Sequence, residues 1–597
     1  MKSIKIGNAG GYWGDDPDAL KNQVLGGELD FITIDYLAEI TMSIMNKQKL
    51  KDPNLGYAKD FLKHLDPVFE EVVKRGIKII TNAGGVNPVS LANELNKLAE
   101  SKGLKNVKIA VVEGDNILNS IDELAENGID FSNMETGEPY DLIKGKVLSA
   151  NLYFGAAPVV EALRQGADIV ITGRVTDTGI TLAPMIYSFD WDTKDYDKLA
   201  SGIVAGHILE CGAQSTGGNF TDWEKVPSFD TVGYPIAEVF EDGTFVVTKH
   251  DSLDGMVTVD TVREQLVYEM GDPKNYITPD VIADFSTINL EQVGENRVKV
   301  SGIKGYPPTD LLKVSISYED GFKASGAIII SGPDAKKKAE KFAEIFWKRV
   351  GIEYEDSLTE FVGLNACHRH LAHIEEANEI LLRFGVRDHD KSKFERFRRK
   401  LPALILSGPP AVAVTGGAPQ IQNVVSYWPA LVPQEISKWK VIVFEGGNKV
   451  FEKEGEWEKT GGVVRELKDN TNFNGDKFKN SPTKKVKLIE IALARSGDKG
   501  DTCNIGLIAR SDLAWEFIGY KITADLVKKL FGEIVKGKVE RYEVKNLNAF
   551  NFLLHNALGG GGTKSLRIDA QGKTLAHALL NQYFEIPEIV LDSVKQR

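Results

Sequence analysis

Over the first two hundred residues, short apolar runs alternate with segments of helical spacing, the pattern of a parallel α/β sheet. The apolar runs predict strands at 4–7, 31–34, 77–81, 107–112, 147–152 and 169–172. Between the second and third, Phe61, Leu62, Leu65, Val68, Phe69 and Val72 recur at helical spacing. Asp16-Pro17 and Asn87-Pro88 read as helix starts, with the carboxylate or amide as N-cap and proline at the first helical position. From 233 to 332 the runs shorten and alternate, which predicts a β-rich subdomain or insertion. An amphipathic helix follows at 333–347. The polar, aperiodic stretch around 466–485 predicts a linker. Behind it, strands and helices at 486–597 alternate as in a small α+β domain. The expected organisation is an α/β domain over 1–465, mainly parallel in its sheet, and a separate α+β domain over 486–597.

Polar side chains collect immediately after the predicted strands. Asn8, Asp15 and Asp16 follow the first and Asp35 the second; Asn82 follows the third, Glu113 and Asp115 the fourth, and Arg174 and Asp177 the sixth. Ligands bind at the carboxyl ends of strands in open α/β sheets and in barrels, and the alternation does not separate those two architectures. The tetrapeptide Asn-Ala-Gly-Gly occurs at 8–11 and again at 82–85. Gly10, Gly11, Gly84 and Gly85 either let backbone amides cradle an anion or only permit two tight turns. Neither copy is a Gly-x-Gly-x-x-Gly fingerprint, so a nicotinamide or flavin site of that kind is unsupported.

On a helix predicted at 196–212, His207, Glu210 and Cys211 share one face. They form either a thiol activated by an imidazole that the carboxylate orients, or a half-buried helix with a core cysteine. Gly212–Gly218 reads as a loop able to close over a ligand. Cys367, His370 and His373 match no standard metal spacing, and no metal site is assigned. Leu558-Gly-Gly-Gly-Gly-Thr-Lys-Ser fails as a phosphate loop because Thr563 stands where the second glycine is required.

The stretch 494–506, Ala-Arg-Ser-Gly-Asp-Lys-Gly-Asp-Thr-Cys-Asn-Ile-Gly, reads as a tight polar loop between two strands. Arg495, Asp498, Lys499 and Asp501 there are either an anion-binding device or a salt-bridged turn. Arg-Ser-Gly-Asp-Lys-Gly-Asp resembles the signature of the small C-terminal domain of the acyclic terpene utilization protein A (AtuA) family. The stretches 8–16, 172–177, 206–218 and 276–280 resemble that family's large N-terminal domain, and 550–562 its C-terminal domain. The resemblance implies a ferredoxin-like fold for the C-terminal domain and a role as a partner of acyl-CoA enzymes in branched-chain and terpenoid acid breakdown.

On that basis the expectation is a lyase or hydratase acting on a CoA thioester. Asp177 or His207 is the expected base and Arg174 the anion holder, with Glu210, Cys211, Asp498, Lys499 and Asp501 as further catalytic candidates. Asn8, Gly10, Gly11, Asp15, Asp16, Asp35, Asn82, Gly84, Gly85, Glu113, Asp115, Arg174 and Arg495 are the substrate-binding candidates. A non-catalytic binding or scaffold subunit is the alternative, and a metal-dependent hydrolase a weaker one.

Composition narrows the field. A chain of 597 residues with 42% hydrophobic and 26% charged residues reads as globular and multidomain. A net charge of −13 argues against nucleic-acid or anionic-membrane partners. Three cysteines and an N-terminus without an apolar signal core place the chain in the cytoplasm, and no apolar run has bilayer length. No resident cofactor is implied. The expected partners are a small-molecule acyl-CoA, further copies of the chain in a homo-oligomer, and acyl-CoA pathway enzymes.

Overall fold

The computed structural model describes residues 2–467, 469 and 471–595. Six strands open the chain: β1 Ser3–Asn8, β2 Phe31–Ile34, β3 Lys78–Thr81, β4 Lys108–Glu113, β5 Val147–Leu152 and β6 Ile169–Thr172. Five of them form the parallel sheet that the alternation predicts, in the order β1-β2-β3-β6-β4. β5 lies elsewhere, antiparallel to Leu311–Ser331, with Leu152 opposite Val314. β2 and β6 are buried at every position, as strands covered on both faces must be. Ile32, Ile34, Ile79, Ile109, Val111, Ile169 and Ile171 meet Phe61, Phe69, Leu91 and Leu95 of the covering helices in one core.

Antiparallel strands extend this sheet to eleven. Ile236–Phe240 pairs with β1, and Phe245–Thr248, Arg297–Ser301 and Asn289–Gly294 continue outward. On the far side Trp439–Glu445 pairs with β4, and Asn448–Gly455 forms the edge. Much of the region expected as a β-rich subdomain or insertion therefore continues the main sheet. A three-stranded sheet of Tyr276–Ile277, Ile282–Asp284 and Lys304–Tyr306 stands apart from it.

One expected helix start moves, and the other holds without its side-chain cap. The first helix begins at Ala19, and Asp16 accepts from the Asp18 N–H without capping it. Pro88 does open Pro88–Ser101, but the Asn87 amide donates to the Pro53 and Leu55 carbonyls.

The described residues fall into two compact units. One gathers Met1–Tyr318, Trp428–Asn470 and Glu543–Leu547; the other gathers Glu319–Tyr427, Thr471–Tyr542 and Asn548–Arg597. Residues 319–427 thus join the C-terminal residues in the second unit. In the second unit, Phe342 and Phe346 of Ala335–Val350 pack with Phe384, Phe394 and Phe397 in one core.

The C-terminal region carries the ferredoxin-like fold. Its four-stranded sheet runs in the order Ala492–Lys499, Thr502–Ala509, Ala549–Leu554, Val539–Val544, with the first three antiparallel to one another in turn. The expected linker contains Lys468 and Asn470, which lie outside the described residues. Its later part is packed: Phe478 is buried, and Phe473 meets Trp515 edge-on at 4.9 Å between ring centres.

Candidate functional site

The strand order brings β6 back between β3 and β4, so the segments following β2, β3 and β6 converge at one edge. Asp35, Asn82, Arg174 and Asp177 meet there. Asn82 donates to the Asp35 carboxylate and accepts from the Tyr36 N–H at 2.7 Å, while the Leu37 N–H donates to Asp35 at 2.9 Å. Arg174 is buried, donates to Asp177 at 2.7 Å and to the Leu37 carbonyl at 3.3 Å, and lies over the Tyr153 ring at 4.3 Å. Its Nε is buried with no hydrogen-bond partner among the described residues.

Burial pushes Asp35 well above the usual carboxylate range, and the Asp177 charge adds to that; Arg174, Asn82 and the Leu37 N–H oppose it. For Arg174, burial works against the charge, but Asp177, Tyr153 and Asp35 together raise it above its ordinary value. The guanidinium is a fixed cation among carboxylates.

Asp115 ties this edge together from below. Its Oδ2 accepts from the Arg174 N–H and the Asn151 amide, each at 2.9 Å. Burial lifts this carboxyl to about 6. A Cβ added at Gly173 would stand 2.5 Å from its Oδ1, so only glycine fits there. Glu113 feels Lys440 and Lys49 and is not brought to the Arg174 cluster.

The helix Tyr196–Leu209 delivers the second group. A Cβ at Gly206 would lie 2.7 Å from Thr178 Cα, and that closeness sets the end of the helix against the segment bearing Asp177. His207 is 1% exposed; its Nε2 is 3.1 Å from the Gln265 carbonyl, and its Nδ1 is 3.1 Å from Glu210 Oε1. The Glu210 contact is of ion-pair length but not aligned as a hydrogen bond. Because a carbonyl only accepts, Nε2 carries a hydrogen, and Nδ1 is the nitrogen that faces Glu210. Burial raises the Glu210 carboxyl; His207 opposes the rise, and Asp177 and Glu269 add to it.

Three expectations change here. Cys211 lies beyond the end of the helix, and both His207 nitrogens are directed at other partners, so the imidazole–thiol pair is not formed. His207 is also too enclosed to be the group that meets a substrate; Glu210, 13% exposed, and Asp177, 28% exposed, are the ones that reach the surface. Gly212–Thr216 is a compact 3₁₀ turn with buried Ser215 and Thr216, not a loose flap.

The glycine turns also resolve. The Gly10 N–H donates to Asn8 at 3.0 Å and the Gly11 N–H to Asp15 at 2.8 Å, and Asp15 accepts in turn from Tyr234 Oη at 2.6 Å. The Ala83 N–H donates to Thr81 and the Gly85 N–H to the Asn82 carbonyl. With these amides engaged internally, the turns serve close packing. A Cβ at Gly11 would fall 2.8 Å from the Glu210 carbonyl, and one at Gly84 2.6 Å from the Thr172 carbonyl. Asn8 and Asp15 shape the first turn, and Asp16 is exposed beside it.

Residues outside the expected site set complete the cluster, one of them opening the family-like stretch 276–280. Tyr276 lies edge-on to His207, with ring centres 5.4 Å apart, and also meets Phe285 at 4.9 Å. Burial holds its phenol well above the usual value, and Glu210, Asp177, Cys211 and Glu269 add to this. Glu269 has a left-handed backbone, φ 49°, uncommon outside glycine. Gln265 clamps His207 from both sides, since its amide also donates to the His207 carbonyl at 2.8 Å.

The C-terminal candidates behave differently. Ala492–Lys499 and Thr502–Ala509 are strands of one hairpin paired out to Lys499 and Thr502, so the turn is only Gly500-Asp501. Asp501 accepts from the Leu558 and Gly560 N–H groups at 3.0 and 2.8 Å, Asp498 lies 3.2 Å from Lys573, Arg495 is buried, and Lys499 is exposed. His555 adjoins this hairpin through Thr502 at 3.3 Å and pairs with Glu540 at 2.7 Å. His370 and His373 face the Leu530 and Asn581 carbonyls, and among the described residues no group of three or more His, Cys, Asp and Glu is arranged to hold a metal. No helix among the described residues is long and apolar enough to cross a membrane.

Fold and cluster together define a two-part α/β protein with carboxylates, an arginine and an imidazole gathered at the carboxyl edge of a parallel sheet. The model of the acyclic terpene utilisation family protein AtuA matches residues 4–443, and that of the AtuA ferredoxin-like domain matches 486–585; the chain belongs to this family. Comparison with curated proteins and with solved structures finds no match.

Proposed function

We propose that the chain is an acid–base enzyme of lyase or hydratase type acting on the CoA thioester of a branched or acyclic terpenoid acid. The observation that carries the chemistry is the pairing of two unlike proton-handling groups around Asp177. Arg174 pairs with the Asp177 carboxylate on one side, and His207 faces Glu210, whose carboxyl is raised by burial, on the other. The family's role in acyclic terpene utilisation supports the substrate class.

In the dehydrating direction, Asp177 takes the proton from C2 of the thioester, and the C–H electron pair moves toward the carbonyl as an enolate. The 3-hydroxyl then leaves as water, taking its proton from Glu210, and the enolate electrons become the C2–C3 double bond. Hydration is the reverse. His207 is a positioning residue that holds Glu210 in place, and Arg174, enclosed like it, acts by fixing the Asp177 carboxylate.

Thermal stabilisation tests this reading. A ligand that binds only the folded chain adds about 2.7 kcal/mol at a hundredfold excess over Kd. Branched acyl-CoAs are expected to raise the melting temperature, with free CoA and the free acids as weaker controls. No shift with any thioester would overturn the substrate class. A shift without turnover would favour a subunit that holds the thioester for another enzyme.

A further inference from the structure

We infer that Tyr276 is the donor that stabilises the enolate oxygen, an inference that rests on the reading above. Enolate chemistry needs a hydrogen-bond donor at the carbonyl oxygen. In the two Asn-Ala-Gly-Gly turns the Gly10, Gly11, Ala83 and Gly85 amides already have internal partners and are not free to provide it. Tyr276 has what they lack. Its hydroxyl makes no hydrogen bond among the described residues, and the residue is half-buried, so the group is neither satisfied nor fully solvated.

The surroundings of the ring fix its chemical character. Glu210, Asp177 and Glu269 are the acidic groups acting on it, and Cys211 is the thiol. Those charges oppose loss of the phenolic proton, so Tyr276 remains a neutral donor while nearby carboxylates trade protons. His207 and Phe285 hold the ring by edge and tilted contacts at 5.4 and 4.9 Å, which limits its rotation. Their partners come from three elements: the helix Tyr196–Leu209, the strand Tyr276–Ile277 and the turn Phe285–Thr287. Tyr276 keeps its proton throughout; the oxygen gains only a hydrogen bond.

Infrared difference spectroscopy tests this with a branched 2,3-unsaturated acyl-CoA labelled with ¹³C at C1. Binding to the wild-type chain is expected to move the thioester carbonyl band to lower frequency. Tyr276→Phe keeps the ring contacts; it is expected to bind the thioester within a few-fold of wild type, to lose the band shift, and to slow deuterium exchange at C2 by about a hundredfold. Wild type binding without any band shift would overturn the inference with no variant needed. So would an unchanged shift in Tyr276→Phe while Asp177→Asn loses exchange, a result that leaves the acid–base reading standing. Failure of the wild-type chain to bind or exchange any thioester would instead remove that reading, and this inference with it.

Discussion

The carboxyl edge of the parallel sheet and the hairpin Ala492–Thr502 both look charged and polar in sequence, yet their charges do different things. In the hairpin, Asp501 fastens the Gly-rich segment through two backbone N–H groups and Asp498 stands beside Lys573. At the sheet edge, buried Asp35 and half-buried Glu210 stand beside another carboxylate and are lifted in pKa, and Arg174 Nε has no hydrogen-bond partner among the described residues. A density of charged residues is therefore a poor guide to chemistry. Charges under tension, together with donors left open, are the better one.

The sharpest way to break the comparison is by substitution at the edge. Asp177→Asn is expected to lower turnover of the preferred acyl-CoA by 10²–10⁴-fold, the usual contribution of a positioned acid or base. His207→Gln is expected to act through Glu210, changing the pH profile of kcat more than KM. Loss of neither rate nor pH dependence in the two variants would contradict the assignment.

Next in size is the pH response of Asp115. Its carboxyl titrates at about 6 in the fold against 3.8 as the ordinary value, so the folded state holds the proton more tightly than the unfolded one. Stability from this group is complete below about pH 4 and is lost as pH rises through 6, by about 3 kcal/mol in all. Asp115→Asn keeps an acceptor for the Arg174 N–H and is expected to flatten melting temperature against pH between 4 and 7. A parallel loss in variant and wild type would contradict the cause given.

The hairpin is expected to respond in stability. Asp501→Ala leaves two backbone N–H groups without their acceptor and is expected to cost about 2 kcal/mol in urea unfolding of the C-terminal region. The exposed Lys499→Ala is expected to stay within about 0.5 kcal/mol of wild type. A reversed order of these two would show that the hairpin's charges are not divided as described.

Much of the fold was legible because it is local. β2 and β6 coincide with their predicted runs, and β1, β3 and β4 differ by a residue or two, since buried parallel strands are written as short apolar runs. β5 was equally visible as a strand, but its partner, Leu311–Ser331, lies more than a hundred and fifty residues away and no local pattern names it. Asp35, Asn82, Arg174 and Asp177 were legible for the same reason as the strands they follow. Tyr276 and Glu269 were not, because they reach Glu210 only through the packing of the helix Tyr196–Leu209, which Gly206 permits. The hairpin misled because Ser-Gly-Asp-Lys has the composition of a turn, while its backbone pairs as a strand as far as Lys499.

The most direct test of the central claim is deuterium incorporation at C2 when the purified chain meets branched acyl-CoAs, saturated and 2,3-unsaturated, in D₂O. Incorporation that depends on the thioester and is absent with the free acid is the predicted result. Thioester binding that stabilises the fold, with no deuterium at C2 under any condition of pH, would contradict it and make the chain a holder of acyl-CoA and not a catalyst.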